Sequence, residues 1–373
     1  MYLTAKTFQG LEKVLSKELE TIGAKNIRIN RRAVTYDGDK EVMYKSNLHL
    51  RTAIRVLEYV KSFDARNENE LYREVKKIDW GHYLDNSKTF AIDAVVNSKY
   101  FTHSKFAALR AKDAICDYFR EKTGDRPNID LERPTILINI LIVDEKITIS
   151  FDSSGETLNR RGYRIFGHEA PINEALAAGM VLLTEWNGGV NFMDPMCGSG
   201  TFVLEAAMIA ANIPPNIKRK EFGFMRWRNF DKDLWEKIYN EAKTKIKTPE
   251  NRIYGSDISI DSIDIARQSA LDFELKQFID FKISSFKDMR AQGKKGVLIM
   301  NPPYNERLKT NLGKLYTDIG IKFRKSFPEW DTWVISSSVD ALELIDPNPV
   351  KKFLLMNGKL ECGFWKYKNH IEK

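Results

Sequence analysis

Cysteine is scarce in this chain of 373 residues. Cys116, Cys197 and Cys362 lie far apart and form no CxxC pair. That speaks against a zinc site and against a disulfide framework, and it points to a reducing compartment. Long hydrophobic runs are also missing, because no segment approaches the roughly 18 uninterrupted apolar residues of a membrane span. The first ten residues, MYLTAKTFQG, carry neither the apolar run nor the small-residue cleavage site of a secretory signal. The expectation is a cytoplasmic protein with no membrane partner and no metal. A phosphate-binding Gly-Lys-Ser/Thr is absent as well, which argues against a nucleoside triphosphatase. There is no internal repeat and no low-complexity tract.

Apolar residues make up 43% of the chain, enough for a sizeable core and too many for disorder. The length suits two domains, at about 100–200 residues each. Lys and Arg number 59 against 51 Asp and Glu, a formal charge of +8. Such a surplus suits a polyanionic partner, since each cation near a phosphate releases a condensed counterion, but it equally fits a soluble protein that is merely basic.

The first third reads as short strands and helices of small α+β modules. Leu11, Val14, Leu15, Leu19 and Ile22 fall at helical spacing, with Gly23 placed to end that helix. Strand-like runs follow at 27–29, 90–96 and 135–143, and helical patterns at about 46–60 and 104–121. Residues 151–170, dense in Ser, Gly and Arg, read as a connector. Beyond them the signals alternate as in an α/β domain: helix 171–186, strand 190–194, helix 200–211, strand 252–256, helix 260–276, strand 296–300. Asn357-Gly358 between apolar runs predicts a C-terminal hairpin.

Three motifs carry chemistry. Asp194-Pro195-Met196-Cys197-Gly198-Ser199-Gly200-Thr201 sits between an apolar strand and a helix, where glycines let the backbone turn sharply and approach a ligand. A dinucleotide fold would place an acid about 20 positions on. Here the next strand-end acid is Asp257, far beyond that, so residues 212–250 read as an insertion. Asp257, at the tip of Ile253–Ser256, can accept from two ribose hydroxyls or cap the following helix, a task Ser259 could perform instead. Finally, the apolar strand Val297–Met300 ends in Asn301-Pro302-Pro303-Tyr304. The double proline fixes a rigid turn that groups an amide, a carbonyl and an aromatic ring at the ligand edge of the sheet. An exocyclic amine of a nucleobase is a poor nucleophile, its lone pair delocalised into the ring. Hydrogen bonds to the Asn301 side-chain oxygen and the Pro302 carbonyl would localise and aim that pair, with Tyr304 stacked on the base.

The order DPMCGSGT, GSD, NPPY resembles the amino-methyltransferase class of S-adenosylmethionine enzymes. Upstream, Asp130-Leu131-Glu132-Arg133-Pro134 and the stretch from Phe151 to Arg164 resemble the end of a THUMP domain and its junction to a catalytic domain. Together, over nearly the whole chain, they resemble the bacterial THUMP-containing large-subunit rRNA guanine-N2-methyltransferases, also described as putative N6-adenine-specific DNA methylases. The resemblance implies an α/β fold: a Rossmann-like class I methyltransferase domain at 156–373, with a mostly parallel seven-stranded sheet and a C-terminal antiparallel hairpin. Before it would come an α+β, ferredoxin-like and THUMP RNA-binding region at 1–155. It implies S-adenosyl-L-methionine as cofactor, with Asp194, Met196, Gly198 and Gly200 at its methionine end, Asp257 at its ribose, and Asn301 between cofactor and amine. Asn301, Pro302 and Tyr304 would form the catalytic amine site. Where relatives place an acid near the adenine this chain has Ser284-Ser285-Phe286, so a backbone amide or Asp288 would serve there. Some relatives carry a further C-terminal methyltransferase domain that this chain lacks, implying one modification rather than two.

The implied substrate is guanine N2 in 23S rRNA. The alternatives are guanine N2 in tRNA, adenine N6 in DNA, and a non-catalytic RNA-binding or ribosome-assembly factor. Arg31-Arg32 and Lys76-Lys77 are small basic clusters of the docking region, or solvated faces. The insertion interleaves Lys218, Arg219, Lys220, Arg226 and Arg228 with Phe222, Phe224, Trp227 and Phe230. Its rings are expected mainly to pack and its cations, Arg226 and Arg228 above all, to contact RNA. A target amine inside a duplex cannot reach Asn301, so the base must be unpaired or flipped.

Overall fold

A computed structural model describes residues 1–163, 172–303 and 309–369. Two sheets organise it. The first contains β1 (Tyr2–Thr7), β2 (Lys25–Asn30), β3 (Ala33–Asp37), β4 (Ala53–Asp64), β5 (Thr89–Asn97), β6 (Asn128–Ile129), β7 (Ile136–Val143) and β8 (Lys146–Asp152), in the order β2-β3-β1-β4-β8-β7-β5-β6. The long strand β4 joins what the sequence suggests as separate modules, pairing antiparallel with β1 on one side and β8 on the other. The runs at 27–29, 90–96 and 135–143 fall on β2, β5 and β7. The expected helix at 104–121 spans Ser104–Thr123 and ends at Gly124 with φ +79°.

Residues 46–60 depart from the expected helix. A helix ends at His49, Leu50 is already extended, and Ala53 onward is β4. Leu50, Ile54 and Leu57 imitate helical spacing. The adjacent Val56 and Leu57 are both buried, so this central strand shows no period-two alternation.

The second sheet contains β9 (Asn191–Asp194), β10 (Ile253–Asp257), β11 (Ile279–Ile283), β12 (Gly296–Met300), β13 (Trp330–Ser336), β14 (Lys351–Asn357) and β15 (Leu360–Tyr367). Its order is β11-β10-β9-β12-β13-β15-β14. The first five strands run parallel, and β15 inserts antiparallel between β13 and β14. The last two strands form the hairpin expected at Asn357-Gly358, with Gly358 at φ +63°. From β9 the chain moves outward to β10 and β11, then returns to β12 on the other side. That reversal opens a crevice at the carboxyl ends of β9, β10 and β12, where open α/β sheets bind ligands.

The helix after β9, Thr201–Ala210, is buried over nearly its whole length, as its run of Phe, Val, Leu, Ala and Met dictates. Its buried Glu205 ties it to the connector: Arg161 lies 3.3 Å from Glu205, both side chains fully buried, and the Tyr163 hydroxyl donates to the same carboxylate at 2.9 Å. Arg161 also donates to the Leu158 carbonyl at 2.6 Å and to that of Arg51. Among the described residues no helix is long and apolar enough to cross a membrane, and no group of three His, Cys, Asp or Glu could hold a metal ion.

Candidate active site

The glycine loop is held from both sides. Gly198 takes φ +50° and Gly200 φ +87°, and a Cβ on Gly200 would meet Ala266 at 3.0 Å. The loop's second fastening is to β10. The Gly198 N–H donates to Asp257 Oδ2 at 2.9 Å, and the Cys197 N–H donates to the Ser256 carbonyl at 2.9 Å. Asp257 Oδ1 accepts the Ser259 N–H at 3.0 Å, while Ser259 itself caps the helix Ile260–Asp272. Asp257 is therefore no helix cap but a carboxylate at the strand tip.

Asp194 ends β9, almost fully buried, and accepts the Met196 N–H at 3.1 Å. Burial, and then the neighbouring charge of Asp257, push its carboxyl up to about 8. Two acids lie at adjacent strand tips, and a positive charge between them would relieve the burial and like-charge repulsion that push Asp194 toward its neutral form.

Asn301 follows β12, all five residues of which are buried. Its Oδ1 is buried without a hydrogen-bond partner among the described residues. A buried unmatched acceptor costs on the order of 1–3 kcal/mol, and a donor entering the cleft could satisfy it. Pro302 is buried and Pro303 exposed. Tyr304 lies outside the described residues.

One cleft of about 700 Å³ brings these groups together: Asp194, Met196, Gly198, Asp257 and Asn301 all line it. Gly200 shapes the turn beneath. Asp288, expected as the alternative to a backbone amide at the adenine, is exposed and outside the lining, to which its neighbours Ser285, Phe286 and Lys287 contribute. Sequence reasoning passed over Ile258, which also lines the cleft with 74% of its surface exposed. An isoleucine directly after a strand-tip acid was the available signal, and it offers a flat apolar wall.

None of the insertion's residues lines this cleft. Its rings pack, as expected: Phe224 stacks on Tyr44 at 4.3 Å and on Phe222 at 5.4 Å, against the N-terminal unit. Three of the four assigned cations are engaged within the fold. Arg219 donates to the carbonyls of Ser154, Thr157 and Glu221 at 3.0–3.2 Å. Lys218 bridges Glu274 and the Asp272 carbonyl, at 2.8 and 2.9 Å. Arg226 lies 3.2 Å from Glu221. Arg228 is exposed and makes no hydrogen bond or ion pair among the described residues. The insertion thus clamps the two units together, with one of its assigned cations left open to a partner.

Comparison with known proteins gives three consecutive matches: an RlmL ferredoxin-like domain over residues 2–57, a THUMP domain over 65–152, and an RMKL-like methyltransferase domain over 161–366. The ribosomal RNA large subunit methyltransferase K/L of Buchnera aphidicola subsp. Schizaphis graminum is 36% identical over 100% of this chain and 55% of its own length. The chain spans about half the length of such K/L relatives. A putative RNA methyltransferase of Synechocystis sp. is 35% identical over 97% of this chain and 95% of its own. Among solved structures, a putative methyltransferase complexed with SAH superposes with a TM-score of 0.90 at 30% identity, covering 100% of this chain and 99% of that one.

Proposed function

The chain belongs to the family of THUMP-containing, RMKL-like methyltransferases, and we propose that it methylates guanine N2 of an unpaired nucleotide in 23S rRNA, as a cytoplasmic enzyme using S-adenosyl-L-methionine. Residues 1–155 serve as the RNA-docking unit and 156–373 as the catalytic unit. The observation that carries the reading is the buried, unmatched Asn301 Oδ1 in the same cleft as Asp194 and Asp257.

The residues present fit the cofactor. Its ammonium and sulfonium are cationic, and Asp194 is a buried carboxyl whose ionised form a positive charge would stabilise. The Asp257 carboxylate accepts one N–H on each oxygen and keeps lone pairs for the ribose hydroxyls. Met196, Gly198 and Gly200 leave the backbone open to the methionine end, and Ile258 and Phe286 wall the adenine end. Bound there, the cofactor supplies an electrophilic methyl group on sulfur.

Asn301 Oδ1 and the Pro302 carbonyl accept the two N–H groups of the guanine amine. This draws the nitrogen lone pair out of the ring and points it across the cleft. Tyr304 stacks on the base in this reading. The methylated amine is acidic enough to lose its proton to solvent without a strong base. Catalysis is then mostly positioning, and the turn that positions is rigid because two prolines build it.

Asn301→Ala is expected to lower kcat by roughly 10²-fold or more, the usual loss when an oriented hydrogen-bonding group of an active site is removed. Cofactor affinity by calorimetry should stay within about twofold, since Asp194 and Asp257 remain. A variant that methylates rRNA at the wild-type rate would remove Asn301 from the amine site.

A further inference from the structure

A second cavity, of about 550 Å³, lies where the N-terminal sheet, the turn Trp80–His82 and the segment Trp227–Asn229 meet, and it shares no lining residue with the cofactor cleft. Its walls are rings. Tyr83 meets Phe151 edge to face at 4.8 Å, His82 packs edge-on against Tyr83 at 4.9 Å, and Trp227 against Phe151 at 6.1 Å.

Three polar side chains of this cavity lack a hydrogen-bonded partner among the described residues. Trp227 is 7% exposed, yet its indole Nε1–H has no hydrogen-bond partner among the described residues. Glu58 on β4 is half-buried and its carboxyl makes no side-chain hydrogen bond or ion pair among them; burial pushes that carboxyl above the usual range, against the weaker pull of the Met1 ammonium and Lys40. Arg228 lines the exposed side. A ligand that satisfies all of these has flat faces for the rings, an acceptor for the indole, a donor for the carboxyl and an anion for the guanidinium. An unpaired nucleotide has each. A neighbouring hollow, lined in part by Gly223 and Arg226, gathers Arg133, Arg160 and Lys220 together with Glu132, Glu156 and Glu221. Arg133 is paired with Glu221 at 2.8 Å and Arg160 with Glu156 at 2.7 Å, so Lys220 is the cation there best placed for an adjoining phosphate.

We propose that this cavity takes an unpaired nucleobase of the RNA substrate at a position other than the methylated one. The rings stack on the base, Trp227 Nε1–H and Glu58 bond its edge, and Arg228 meets its phosphate. The inference rests on the RNA-methyltransferase reading above. It gives the enzyme a second, remote grip on the RNA, which fixes register before the target base enters the cleft.

Titration of the full-length protein with each of the four nucleoside 5′-monophosphates tests the cavity without reference to catalysis. The probe is the Trp227 indole N–H resonance, assigned by Trp227→Phe. A saturable downfield shift is expected, weakened in Glu58→Gln and in Arg228→Ala. With 23S rRNA as substrate, the same two variants are expected to raise KM about tenfold, the size of one charge-assisted hydrogen bond, while kcat stays at the wild-type value. Ultraviolet crosslinking should join RNA to the peptide carrying Tyr83 or Trp227. An unmoved indole resonance together with an unchanged KM, in an enzyme that does methylate RNA, would overturn the proposal. A wild-type protein that methylates no RNA yet shows the indole shift would overturn the function and leave the nucleotide site standing. Crosslinks found elsewhere only, with both variants like wild type, would place the RNA on another surface.

Discussion

At the scale of single residues, Asp194 and Asp257 divide the work of the cleft. Asp257 both shapes the site, by holding Gly198 N–H, and lines the cleft. Asp194 pays a desolvation penalty in the free protein, visible in a carboxyl pushed up to about 8. Binding of a cationic cofactor favours its ionised form, so cofactor binding at pH 7 is expected to release about one proton. Calorimetry in two buffers of different ionisation enthalpy measures this, and Asp194→Asn should abolish the release. The same shift sets a sign for stability. A carboxyl whose folded pKa is raised takes up a proton on folding. Its contribution is therefore complete below the ordinary carboxylate pKa, falls as pH rises from there, and is gone above about 8. The free protein should accordingly gain thermal stability from this group between pH 8 and pH 6.

The residues with an unusual backbone or strand-end position were legible in the sequence. Gly198 and Gly200 need positive φ, Asp257 needs a strand tip, and Asn301 needs a turn that only prolines hold. Asp288, expected as the alternative to a backbone amide at the adenine, is exposed and does not line the cleft, whereas Ile258 and Phe286 do. An apolar wall has no motif, because many side chains serve equally and nothing in the spacing singles one out.

Among elements, the helix Thr201–Ala210 carries the glycine loop on a charged buried anchor. Glu205 is compensated by Arg161 and by the Tyr163 hydroxyl. Arg161→Ala would leave that carboxylate with the Tyr163 hydroxyl and the charge of Arg51 but no ion-paired partner, at a cost of about 3–5 kcal/mol, and chemical denaturation should read it as a loss of unfolding free energy. Arg161→Lys keeps the charge but not the planar fork, and should recover only part. An unchanged midpoint in Arg161→Ala would mean that Glu205 finds another partner or is protonated.

Elements with one buried face or a continuous apolar run showed through, as β9, β10 and β12 did. The segment 46–60 did not, because β4 is buried at consecutive positions and imitates a helix. The insertion was half legible. Interleaved rings and cations look alike whether the cations meet phosphates or, as Arg219 does, backbone carbonyls. Only tertiary contacts separate the two.

For the whole molecule, the proposed reaction requires RNA docked on the N-terminal unit to reach the cleft of the other, and the joint between the two sets that geometry. Gly223 lies in that joint: a Cβ there would sit 2.7 Å from the Asp152 carbonyl and 2.8 Å from the Gly155 nitrogen, both backbone atoms. Gly223→Ala should cost about 1–3 kcal/mol of stability through overpacking. Its rRNA binding, followed by filter retention, should weaken more than its cofactor binding. Equal weakening of both would mean that the damage spreads beyond the joint.

The most direct measurement offers purified protein and labelled S-adenosyl-L-methionine separate pools of unmodified 23S rRNA, tRNA and DNA, and identifies the methylated nucleoside by mass spectrometry. The proposed chemistry predicts N2-methylguanosine, in 23S rRNA. N2-methylguanosine in tRNA alone would keep the amine mechanism and move the substrate, whereas N6-methyladenine in DNA, or no transfer to any pool, would contradict the proposed function.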